Sequence, residues 1–224
     1  IPAFSIGRSQ EILYQLGKHY EEWGLDRFRI FLDSPMAIEA TKVYWNNAQL
    51  FDEEATRLRR ENGGMPLLPN LKLSRDTEES MAINRIRSGA IVIAGSGMCN
   101  GGRIIHHLKH NLDRPETQVL ITGYQAHGSL GRRLVNGEET VRIHGRTIPV
   151  RAVVHTVGGL SAHGDQDDLA HWYEQISGRP PVYLVHGEPE AQRAFGQYLR
   201  GRCGAEVHVP APGDQLDLER SPGA

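Results

Sequence analysis

The 224 residues carry 25 Lys and Arg against 27 Asp and Glu, a net charge of −2, so bulk charge points to no polyanionic partner and any nucleic-acid footprint must be local. Hydrophobic residues at 39% with 25 glycines make the composition of a folded chain, with room for one large domain or two small ones, and exclude overall disorder. Two cysteines, Cys99 and Cys203, suggest neither a disulfide framework nor a cysteine zinc site and suit a reducing, cytoplasmic compartment, while no apolar run approaches the roughly 18 residues of a membrane span.

Ile1-Pro2-Ala3-Phe4 reads like the exit of a strand whose earlier part is absent, which leads us to expect a fragment. Apolar residues Ile12, Leu13, Leu16, Tyr20 and Trp23 fall at helical spacing and predict a helix over 8–23, with Ser5 or Ser9 as cap and Gly24 as stop. Phe28–Leu32 predicts a strand closed by Asp33-Ser34-Pro35, then a helix over 36–51 that continues as a charged helix to Glu61. Gly63-Gly64-Met65-Pro66 opens a surface excursion reaching Arg75. Asp76-Thr77-Glu78-Glu79 starts another helix, and Ala90–Ala94 is a strand whose unbroken apolar run predicts burial on both faces. A helix over 101–112, a strand over 118–122 and a short helix over 129–135 complete an α/β alternation. From about residue 140 the pattern becomes β-rich, with His144-Gly145-Arg146 as a turn; a helix over 169–176, a strand over 182–185, a helix over 188–202 and a strand over 206–209 follow.

Four stretches could carry chemistry. Gly95–Arg103 joins a strand to a helix, where backbone N–H groups can hold an anion, and Ser96, Gly97, Met98 and Arg103 are its candidate ligands. The rival reading is a tight turn of positive φ angles. Dinucleotide binding would need glycine at Asn100 and an acid near Thr122-Gly123, and both are missing. Thr122–Arg133 is a second strand-end loop, in which Arg132 could fork onto phosphate or simply face solvent. Ser161-Ala162-His163-Gly164-Asp165 and Val185-His186-Gly187-Glu188 place two histidines in successive strand-end loops, one suited to proton donation and the other to zinc ligation. His106, His107 and His110 lack an accompanying carboxylate and read as helix surface.

In order along the chain, Ile1–Glu11, Asp33-Ser34-Pro35-Met36-Ala37, Gly97–Arg103, Thr122–Ala126, Ser161–Asp165 and Val185–Glu188 resemble the motifs of the β-CASP branch of the metallo-β-lactamase fold, RNA-processing nucleases. The resemblance implies an α/β architecture: a β-CASP domain with a mostly parallel sheet over 1–143, the C-terminal part of a metallo-β-lactamase αββα core over 144–218, and a mobile tail over 219–224. It implies that His163 lies beside the scissile phosphate as proton donor, that His186 is a ligand of one of two zinc ions, and that Ser161 lies with the substrate. The His-x-His-x-Asp-His run that supplies most zinc ligands in that family is absent. Since a catalytic zinc needs about three protein ligands, the chain alone is expected to hold no zinc and to be inactive, as a fragment of a zinc-dependent ribonuclease. The implied partners are single-stranded RNA and the N-terminal metallo-β-lactamase half, with a homodimer left open and no membrane. The alternatives are a non-catalytic RNA-binding or scaffold module of the same fold, and a nucleotide-binding α/β enzyme using the 95–102 loop.

Overall fold

The computed structural model describes residues 1–216 except Met65 and Ala162; the tail expected from 219 lies outside the described residues. The chain divides into two compact units, Ile1–Ser161 and Ala162–Ala224. Residues 8–23 do not form one helix: α1 spans Arg8–Lys18, enters from Gly7 without a side-chain cap, and is followed by turns up to the left-handed Gly24. Ser9 instead donates to Phe4 O (2.7 Å) and Ser5 pairs with the Ser34 hydroxyl (3.2 Å).

Strand β1 (Arg29–Leu32) leads into α2 (Pro35–Asn46), which is capped by the Ser34 hydroxyl accepting from Ala37 N, with Pro35 at the first turn. Helix α3 (Glu53–Glu61) is separate, started by the Asp52 carboxylate. The expected surface excursion is wrong in part. Leu67 and Leu68 are buried, and Leu71–Leu73 forms β2, parallel to β1. Asn70 fixes the segment by donating to Leu25 O and Phe28 O.

Helix α4 (Thr77–Ile83) begins at a capping box between Asp76 and Glu79. Strand β3 (Ala90–Ile93) pairs parallel with the other edge of β1, giving the order β2-β1-β3. Its side chains alternate between two cores. Ile91 and Ile93 pack with α1 and α2, whereas Val92 and Ala94 join the cluster of Ile104, Leu108, Val119 and Ile121. Burial on both faces therefore explains the unbroken apolar run. Along the free edge of β3, Ile1 N donates to Val92 O and Ala3 N to Ala94 O.

Helix α5 (Ile104–Asn111) follows, then β4 (Gln118–Ile121) and α6 (Leu130–Val135). A hairpin of β5 (Thr140–Ile143) and β6 (Arg146–Pro149) turns on His144 and Gly145, both at positive φ as a two-residue turn requires. Strand β7 (Val153–Thr156) then pairs parallel with β4. The second unit holds α7 (Gln166–Glu174), β8 (Val182–Tyr183), α8 (Pro189–Cys203) and β9 (Val207–His208); the two strands are parallel and the helices enclose a small core around Ala170, Tyr173 and Leu199. Among the described residues no helix is long and apolar enough to cross a membrane.

Candidate functional site

Ligands in open parallel sheets collect where successive connections leave in opposite directions, outside the carboxyl ends of the strands. Here that point lies between β1 and β3, because β1 has β2 on one side and β3 on the other. Asp33 closes β1 and is fully buried, with Ser80 Oγ donating to Oδ2 (2.6 Å), Arg103 Nη1 to Oδ1 (2.7 Å), and His107 Nε2 2.6 Å from Oδ2. Burial pushes the Asp33 carboxyl up, but the hydrogen bonds from His107, Ser80 and Arg103 outweigh it and hold its pKa below the ordinary 3.8. His107 is therefore not helix surface. It is buried, its Nδ1 lies 2.9 Å from Asn84 Oδ1, and only His106 and His110 are exposed.

The guanidinium of Arg103 also donates to Ser74 O and Arg75 O, both at 2.9 Å. Arg103 thus clamps the ends of β1 and β2 to the start of α5, and the geometry gives it an architectural task in place of an open phosphate contact. The glycine loop that precedes it is equally built in. Cys99 and Gly102 both have positive φ, and a Cβ on Gly102 would lie 2.3 Å from Gly95 O. Ser96 N donates to Gly101 O and Ile104 N to Gly95 O.

Two loops expected to act separately are joined. Met98 O accepts from Gly131 N (3.1 Å), Asn100 Oδ1 accepts from Leu130 N (2.9 Å), and the buried Gln125 donates through Nε2 to Gly97 O (3.0 Å). The first N–H groups of α6 are consequently bound within the protein and form no open anion site. Arg132 lies on α6 with its guanidinium 5.4 Å from the centre of the Tyr124 ring. Ser96, Gly97, Met98 and Arg132 therefore belong to one assembly, and Arg103 faces away from it into the Asp33 clamp. Spacing along the chain did not single out Asn100 and Gln125 as its scaffold, Asp33 as the centre of the separate clamp, or Phe4 and Tyr124 as exposed side chains. Apolar residues directly after strands, inside stretches singled out for their polar loops, were the available signal.

Ser161 is exposed at the end of the first unit. In the second unit, Asp165 accepts from Asp167 N and Asp168 N and so caps α7, leaving His163 exposed just ahead of the helix. His186 is exposed after β8, in a turn where Gly187 takes φ +117 and Gln192 donates to Leu184 O (3.1 Å). An open cleft of about 410 Å3 brings His186 together with Gly164, Asp165, Leu169 and Phe195.

Residues 9–134 match the Beta-Casp domain. The chain belongs to the Beta-Casp family. In this Beta-Casp protein, residues 147–210 further match the Zn-dependent metallo-hydrolase RNA specificity domain. Ribonuclease TTHA0252 of Thermus thermophilus is 43% identical over 97% of this chain and 49% of its own length. Transcription termination factor FttA of Methanocaldococcus jannaschii is 29% identical over 98% of the chain and 35% of its own, and an RNase J-like protein of the same organism is 29% identical over 97% and 49%. The chain therefore spans about half or less of the length of these curated relatives. Among the described residues no group of three or more His, Cys, Asp or Glu side chains could hold a metal ion.

Proposed function

We propose that this chain is the RNA-engaging portion of a ribonuclease that hydrolyses phosphodiester bonds. The strand-end assembly of the first unit holds single-stranded RNA. His163 donates a proton to the departing oxygen, and His186 is one ligand of a zinc site whose other ligands are not among the described residues. The observation that carries this reading is the cleft of the second unit, onto which His186 opens beside Gly164 and Asp165, two residues from His163. An exposed imidazole next to a capped helix start can reach a substrate oxygen, which a core histidine cannot. The buried free thiols Cys99 and Cys203 suit the cytoplasmic setting that belongs to the same reading.

A second reading is a non-catalytic RNA-binding module of the same fold. Elemental analysis and an RNA cleavage assay on the purified chain and on its full-length parent separate the two. On our proposal the chain alone carries no stoichiometric zinc and cleaves nothing, while the parent holds zinc and cleaves. Cleavage by the chain alone with about two tightly held zinc ions would contradict the proposal, and an inactive, zinc-free parent would establish the module.

A further inference from the structure

The first unit exposes two aromatic rings on one rigid frame. Phe4 is 48% exposed although it follows directly on the strand-like segment paired with β3, and Tyr124 is 59% exposed just after β4. The Phe4 ring packs against Gly97, where an added Cβ would come within 2.8 Å of it, so glycine there is what allows the ring its seat. Gln125 ties the two positions together, because its Nε2 donates both to Gly97 O (3.0 Å) and to Tyr124 O (3.1 Å) while its side chain is buried. A guanidinium, that of Arg132, stands 5.4 Å from the Tyr124 ring centre. Aromatic rings kept in water on a hydrogen-bonded support, with a cation beside one of them, make a surface that accepts flat π-systems carrying negative charge.

Resting on the RNA reading above, we propose that Phe4 and Tyr124 are a stacking platform for unpaired nucleobases, with Arg132 meeting the phosphate that joins them. Bases in a duplex keep their faces inside the stack, so only a single-stranded segment can lie on these rings. The platform therefore selects unpaired RNA and is indifferent to sequence, since every base has a π-face.

The test is fluorescence anisotropy of the full chain with a short unpaired oligoribonucleotide, the same oligonucleotide annealed to its complement, and a version with abasic sites. Phe4→Ala and Tyr124→Ala are each expected to weaken binding of the unpaired strand about 5- to 150-fold, the range of one base–aromatic stack. Tyr124→Phe, which keeps the ring, is expected to bind as the wild type does. Abasic and duplex RNA are expected to bind the wild type as weakly as the alanine variants bind the intact strand. Because the abasic arm leaves the protein untouched, it decides the matter even where a variant folds poorly. Equal wild-type affinity for intact and abasic strands would overturn the platform while leaving RNA binding standing. No RNA binding by the wild type would overturn both, and self-association lost in Phe4→Ala with unchanged RNA affinity would assign the rings to a protein contact.

Discussion

Replacing Asp33 by alanine strips three partners of their acceptor at once: the Ser80 hydroxyl, the Arg103 guanidinium and the His107 ring. Removing one member of a buried charge pair costs about 3–5 kcal/mol, because the other member keeps its desolvation penalty. The Arg103 side chain is 20% exposed and retains two carbonyl acceptors, which places Asp33→Ala near the lower end, at about 3 kcal/mol. Asp33→Asn keeps the shape and one acceptor oxygen, so roughly half that loss is expected. Urea unfolding followed by tryptophan fluorescence reads both at neutral pH. The pH dependence gives a second check. The folded-state pKa of Asp33 is depressed, so its contribution is fully present above the ordinary 3.8 and is lost as pH falls through the lower folded value. The gap between wild type and Asp33→Asn should therefore close in acid. A loss below about 1 kcal/mol for Asp33→Ala, or a gap that persists in strong acid, would refute the idea that this clamp holds the strand ends.

Gly102→Ala should destabilise the first unit by at least about 2 kcal/mol, since the new Cβ meets backbone at 2.3 Å in a residue at φ +67; thermal unfolding measures it. Arg132→Ala should flatten the salt dependence of affinity for unpaired RNA by about 0.7 of a unit of slope, whereas Arg103→Ala should lower thermal stability and leave that slope unchanged. In the full-length protein, His163→Ala should reduce cleavage on the order of 10²–10⁴-fold with metal content intact, whereas His186→Ala should lower metal occupancy as well. Equal metal loss in both variants would reverse the two assignments.

The long apolar runs were legible because burial on two faces leaves no room for a polar residue, and Ala90–Ile93 and Gln118–Ile121 lie within a residue of where pattern alone puts them. Strand β2 escaped because Leu71–Leu73 offers three residues of alternation between Pro69-Asn70 and Ser74, too short to outweigh its turn-forming neighbours. The clamp was invisible for a different reason. Asp33 and His107 are 74 positions apart, so nothing local distinguishes a histidine aimed at a buried carboxylate from two others on the same helix. The Asp165 cap of α7, by contrast, is made between neighbours two and three residues apart. The joining of Gly97, Met98 and Asn100 to Gln125, Leu130 and Gly131 depends on the loops after β3 and β4 meeting in the fold, which spacing along the chain does not encode.

A salt titration of the purified chain with unpaired RNA tests whether the strand-end assembly engages a phosphate backbone. Each phosphate held by a side-chain cation should contribute about −0.7 to the slope of log affinity against log salt. A linear fall with salt, flattened in Arg132→Ala and unaffected in Arg103→Ala, is the result expected. Affinity that is absent at low salt, or that does not change with salt, would contradict it.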